Sequence, residues 1–154
     1  MQPRRAPAAW RVEIEQADRF EFLPHTADVA VLVRGESLPA LFENAAAALF
    51  ALMVDLECVQ ERTSRHVELR SADLEGLLVD WLNELLFLFE TERMLFRRFQ
   101  VRELDTSQLR ATAWGEGLDL SRHRVRTSVK AATYHGLEIE RVGGLYTARM
   151  VFDV

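Results

Sequence analysis

A chain of 154 residues, 49% hydrophobic and 28% charged, has the length and composition of one soluble domain around one core. Its net charge of −5 argues against a broad electrostatic grip on nucleic acid and leaves room for a protein partner with a basic surface. The single cysteine, Cys58, supports neither an internal disulfide nor a cysteine metal cage, and no apolar run approaches the ~20 residues of a membrane span, so a cytoplasmic, reducing setting is expected.

Residues 1–18 begin rich in Pro, Ala and Arg and then become charged. They read as a mobile leader, with a little structure around Trp10 to Ile14, and they lack the continuous apolar region of a secretory signal. Residues 19–154 read as a single domain. Phe20 and Phe22 alternate with Arg19 and Glu21 in a first strand that Pro24 ends. His25-Thr26-Ala27-Asp28 is a turn, and Val29 to Val33 a short buried strand that Gly35 breaks. Ser37 can cap a helix with Pro39 in its first turn, where a missing N–H costs nothing. Leu38, Leu41, Phe42, Ala45, Leu49, Leu52 and Met53 then repeat at helical spacing. His66 to Arg70 alternates as a strand. Asp73 can cap a second helix, whose stripe from Leu74 through Trp81 to Phe89 is better explained as core than as a cofactor box.

The second half is mostly β. Phe96 to Leu104 and Gln108 to Trp114 flank the turn Asp105-Thr106-Ser107, Gly115-Glu116-Gly117 reads as a loop, and Val125 to Tyr134 as a strand. A closing hairpin turns at Gly143-Gly144, which can take the positive φ angles of a tight primed turn. Tyr146, Ala148, Met150 and Phe152 share one face of its last strand, which stops on Asp153-Val154. Two helices among about seven strands make an α+β fold, a single domain of mixed or antiparallel sheet layers with two main helices packed on them.

The end of that strand is the first place to look for chemistry. A side-chain carboxylate sits beside a terminal carboxyl whose reference pKa is about 3.5, so the terminal group is expected to be ionised at neutral pH. Paired oxygen anions at a fixed strand end suit a hard divalent cation, Ca2+ or Mg2+. Asp28, at a strand start, meets Asp153 only if the two strands are neighbours. Read alone, Asp28 is better explained as an Asx-turn cap and Asp153 as a frayed terminal carboxylate.

Two blocks reverse that preference. VKAATYHGLEI followed by VFDV, and HTADVAVLVRG from His25 to Gly35, resemble the two signatures of the archease family. LFENAAAALFALM, LLVDWLNELLFLFE and GEGLDLSRH follow in the family's order, so the likeness runs from Arg19 to Val154. Ala30 stands where the family commonly has Gly, and the leader is longer than in the short forms. The resemblance implies the same α+β fold and a metal site at Asp28, Asp153 and Val154, holding Ca2+ in the first instance, with Mg2+ or Mn2+ as alternatives. A calcium shell takes about 6–8 oxygens, so such a site would be open to water or to a partner's ligand.

Lys130, inside the signature block, can neutralise the acidic cluster. If its strand reached back far enough, Arg122, Arg124, Arg126 and Lys130 would form one basic stripe, although a charged edge strand is the simpler account of the arginines. His25 and His135 lie in the two blocks and can orient carboxylates, but a histidine near a turn is more often structural. None of the four histidines has zinc spacing. Glu116 can serve as a ligand or a binding-loop residue, though acids in loops are usually just solvated. The chain has no G-x-S-x-G elbow, P-loop, dinucleotide glycine fingerprint or C-x-x-C, and no evident nucleophile.

The family resemblance implies a non-catalytic cofactor of an RtcB-type RNA ligase in tRNA splicing or RNA repair, promoting guanylylation and multiple turnover. A chaperone-like modulator of a tRNA methyltransferase is the alternative. A small metal-dependent hydrolase is disfavoured, because no general base stands beside the acids.

Overall fold

A helix that is apolar on every side must be covered on every side. LPALFENAAAALFALM carries Glu43 as its only charge, and in the computed structural model its residues from Ala45 to Met53 are all buried. The structure describes residues 19–23 and 28–154. The expectations for the leader, for Trp10 to Ile14 and for His25 fall outside them. In chain order the elements are β1 (Phe20–Leu23), β2 (Val29–Gly35), α1 (Leu38–Met53), a 3-10 turn (Leu56–Cys58), β3 (Thr63–Arg70), α2 (Leu74–Glu92), β4 (Met94–Leu104), β5 (Gln108–Gly117), β6 (Ala131–Thr133), β7 (Ile139–Val142) and β8 (Leu145–Asp153).

Two antiparallel sheets enclose α1. One has the order β1-β2-β8-β6, with β7 also pairing β8; the other is β3-β5-β4. The helix packs on β2 of the first and β4 of the second. The small side chains of Ala45 to Ala48 allow that approach, while Phe50 meets Phe96 edge-on at 5.6 Å and Phe99 at 6.0 Å. The fold is α+β. Among the described residues no helix is long and apolar enough to cross a membrane.

Local chemistry sets the boundaries. The Ser37 hydroxyl accepts from the Ala40 amide, and the Asp73 carboxylate accepts from the Gly76 amide, each as an N-cap. Trp81 of α2 donates its indole N–H to the Phe42 carbonyl of α1, so a buried polar atom joins the two helices. Gly143 and Gly144 take φ of 58° and 84° in the β7–β8 turn.

Eight strands appear among the described residues, in line with the about seven expected. Two strand assignments need correcting. Gly115-Glu116-Gly117 is no loop: β5 is the central strand of its sheet, and pairing with β3 at Gly115 and with β4 at Leu95 and Met94 extends it to Gly117. Partners on both sides override the glycine signal. The strand expected from Val125 to Tyr134 shrinks to Ala131–Thr133, because residues 118–130 are tied down elsewhere. The basic stripe therefore does not form.

Arg126 shows where those residues go. Its amide donates to the Met53 carbonyl at 2.7 Å and its Nη2 to the Ala51 carbonyl at 3.3 Å. α1 has no basic residue in its last turn, so Arg126 brings a cation to the negative helix end from another part of the chain. Arg126→Ala is expected to cost about 1–2 kcal/mol, seen as a lower denaturant midpoint at unchanged m-value.

Candidate functional site

β2 and β8 are neighbours in the centre of the five-stranded sheet, the condition on which convergence of Asp28 and Asp153 depends. Val29 is registered with Phe152, so one residue further out Asp28 lies across from Asp153. Residues directly opposite in an antiparallel pair carry their Cβ atoms about 4.5–5.5 Å apart on the same face. On the far side of β8, Ala131 is registered with Asp153, and the Lys130 amide donates to the Asp153 carbonyl at 2.8 Å. Three strands thus bring Asp28, Asp153 and Lys130 to one sheet end.

Burial fixes this end without covering it. Val29 and Phe152 are 5% and 0% exposed, so the pair just inside is anchored in the core, whereas Asp153 and Val154 are exposed. Like charges directly opposite on a sheet repel. Lys130 and a bound cation are two ways to offset that repulsion. Among the described residues, no group of three or more His, Cys, Asp and Glu side chains lies close enough to hold a metal. A cation here would have two carboxylates and the main-chain oxygens of Val154, a hard donor set that fits Ca2+, Mg2+ or Mn2+ and leaves its shell incomplete. His135 is exposed, and its amide donates to the Thr133 hydroxyl at 3.3 Å, just beyond β6.

Glu116 lies in the other sheet and is not brought to this end. It is 3% exposed, and each of its oxygens has two partners. Oε1 accepts from Arg122 Nη2 and faces Arg62 Nε at 3.4 Å; Oε2 accepts from the Gln60 amide at 2.7 Å and from His123 Nε2 at 3.0 Å. Burial alone would raise its pKa, but Arg122, the Gln60 amide and His123 outweigh burial and hold the carboxyl at about 2. The Asp119 amide donates to His123 Nδ1 at 2.9 Å, so Nε2 carries the ring proton. Asp119, whose pKa is lowered by hydrogen bonds from Ser121, pairs with Arg122 at 3.4 Å. This cluster folds residues 118–123 back onto the segment from Cys58 to Arg62 that leads into β3, and with both oxygens engaged Glu116 has a structural part to play.

Cys58 contributes its carbonyl oxygen to that cluster, accepting from His123 Nε2 at 3.2 Å. Desolvation and the Asp55 carboxylate push its thiol pKa up, which is the wrong direction for a nucleophile.

These two clusters, with the α1-centred fold around them, can be set beside known proteins. The archease protein family (MTH1598/TM1083) matches residues 20–154. The chain belongs to the archease family. The archease of Methanosarcina mazei is 43% identical over 143 residues, which span 90% of this chain and 98% of that one. The archease of Sulfurisphaera tokodaii is 41% identical over 137 residues, 88% and 99% of the two chains. The solution structure of Methanobacterium thermoautotrophicum protein 1598 superposes with a TM-score of 0.76 at 43% identity, covering 88% of this chain and 98% of that one. The Thermotoga maritima archease, described as a possible chaperone, superposes over the whole of both chains with a TM-score of 0.60; at 20% identity it bears on the fold alone. All the elements that form the Asp28–Asp153 strand end lie within the archease match.

The sequence reading missed the Glu116 cluster. Its signal was present as an acid followed by Arg122 and His123, but which face of β5 the acid occupied depended on a strand extending past two glycines.

Proposed function

We propose that this archease is a non-catalytic accessory protein that activates an RtcB-type RNA ligase in tRNA splicing or RNA repair, promoting ligase guanylylation and multiple turnover. The observation that carries this reading is the β2–β8 register, which sets Asp28 across from Asp153 at an exposed strand end. Asp28, Asp153 and the main-chain oxygens of Val154 would hold a divalent cation, Ca2+ or else Mg2+ or Mn2+. When bound, the ion supplies positive charge for aligning anionic groups of the ligase or its nucleotide. The chain's own part is to present two fixed carboxylates on a rigid strand pair, with Lys130 beside them to temper their repulsion. Its surroundings favour docking over turnover, since no described histidine or nucleophile stands at this strand end.

The test is multiple-turnover RNA ligation by the RtcB-type ligase of the same source, with GTP and limiting divalent metal. Wild-type protein is expected to stimulate ligation, and Asp28→Ala and Asp153→Ala to lose most of the stimulation while keeping the wild-type melting temperature. Normal stimulation by both variants would rule out a role for the strand end. A folded wild type that leaves the ligase unchanged would favour the chaperone-like modulation of a tRNA methyltransferase.

A further inference from the structure

Helix α2 is acidic in an unusual way. Between Leu74 and Glu92 it carries Glu75, Asp80, Glu84, Glu90 and Glu92 and no lysine or arginine. Some of these acids are used within the fold: Glu92 pairs with Arg65 at 2.9 Å, and Glu75 accepts from the Ile139 amide at 3.4 Å. Glu84 and Glu90 make no ion pair among the described residues. On the same stripe, at helical spacing from Asp80 and Glu84, stands Phe87, 55% exposed. A large aromatic more than half exposed on a charged helix face suits a protein interface better than a monomer surface.

The position of this stripe gives it meaning. Tyr134, 58% exposed, stands beside Asp80, and desolvation together with the nearby Asp80 carboxylate pushes its phenol pKa up. Three residues further along α2, Asn83 exchanges two bonds with Ala132: Nδ2 donates to the carbonyl at 3.2 Å, and Oδ1 accepts from the amide at 2.8 Å. The side-chain amide thereby closes the open edge of β6 as a neighbouring strand would. α2 and β6 run antiparallel, about 4.5 Å of helix matching about 6.6 Å of strand. One more step of that progression sets Leu86, the residue before Phe87, level with Lys130, whose amide is bonded to Asp153. The acidic stripe thus runs along β6 towards the Asp28–Asp153 strand end.

We infer that Asp80, Glu84, Phe87 and Tyr134 form the docking surface by which the chain seats on a basic face of its partner enzyme, Phe87 entering an apolar recess there while the acids align the approach. The occupant is a protein, because a surface of uncompensated carboxylates repels the phosphates of a nucleic acid. Carboxylates around an aromatic anchor match a rim of Lys and Arg around a pocket. This rests on the accessory-protein reading above and adds where the partner binds.

The experiment measures binding of the full chain to the RtcB-type ligase of the same source by fluorescence anisotropy, at low and at physiological salt. The variants are Phe87→Ser and Glu84→Lys on the stripe, with Arg110→Glu on the outer face of the three-stranded sheet as a remote control. Wild type is expected to bind, more weakly as salt rises. Each stripe variant should lose about tenfold or more in affinity, and Arg110→Glu should lose none. All side chains changed are at least partly exposed, and equal melting temperatures check the fold. Unchanged affinity in both stripe variants, with wild type binding, would overturn the surface and leave the accessory reading standing. No binding by wild type would overturn that reading, and this surface with it.

Discussion

Replacing Glu116 by alanine is expected to destabilise the protein by about 3 kcal/mol, lowering its melting temperature by roughly 6–12 °C. The loss has several sources. The Gln60 amide loses its acceptor, Nε2 of the fully buried His123 side chain keeps only the Cys58 carbonyl, and Arg122 loses its closest carboxylate. Arg62 and Arg122 are 65% and 36% exposed, so water can take up their charge; that places the cost at the low end for breaking a buried ion pair. Glu116→Gln keeps the shape and one acceptor oxygen and should lose less. The pH dependence has a fixed sign. The folded carboxyl is held at about 2, below its ordinary 4.5. Its stabilising contribution is therefore complete above 4.5 and disappears as pH falls towards 2. The stability gap between wild type and Glu116→Ala should be constant near neutrality and close within that window, which thermal melts at a series of pH values would follow.

Both helices were legible in the sequence because their signals are local. Ser37, Pro39 and Asp73 mark starts through side-chain and ring chemistry that needs no partner, and the structure caps α1 and α2 with Ser37 and Asp73. The β7–β8 turn was legible for a similar reason, since paired glycines with positive φ leave few alternatives. Strand extent was less so, because it depends on what lies alongside. β5 continues through Gly115-Glu116-Gly117 because β3 and β4 flank it, and residues 125–130 stay outside the sheet because Arg126 is bonded to the end of α1. Neither fact is contained in the stretch of sequence concerned. The convergence of Asp28 and Asp153 has the same character. Each acid could be singled out from its block, but only the pairing of β2 with β8 sets one across from the other. The docking stripe on α2 was half legible: its acids and lack of bases are plain in the sequence, whereas the exposure of Phe87 is not. Phe87 and Phe89 look alike in FLFE, and only the packing leaves the first in water and sets the second against the core.

The two glycines beside Glu116 should respond in opposite ways to the same substitution. Both occupy β5, and a loop reading treats them alike. A Cβ on Gly115 would lie 1.8 Å from the Leu95 carbonyl oxygen and 2.8 Å from Phe96 Cα. These are main-chain atoms of β4 next to its register shift between Phe96 and Arg98, so no side chain can swing aside to make room. Gly115→Ala must therefore push the central strand β5 away from its neighbour β4. The expected cost is at or above the upper end of overpacking, about 3 kcal/mol or more, with a fall in melting temperature comparable to that of Glu116→Ala. A Cβ on Gly117 would meet nothing within 4 Å, and the residue has no positive φ. There alanine mainly restricts the unfolded chain, and Gly117→Ala should be neutral or stabilising by about 0.5 kcal/mol. Thermal melts of the two variants side by side decide the matter. Equal, small effects would mean that β4 and β5 are not in close contact at Gly115, and the strand that presents Glu116 to Arg122 and His123 would have to be placed differently.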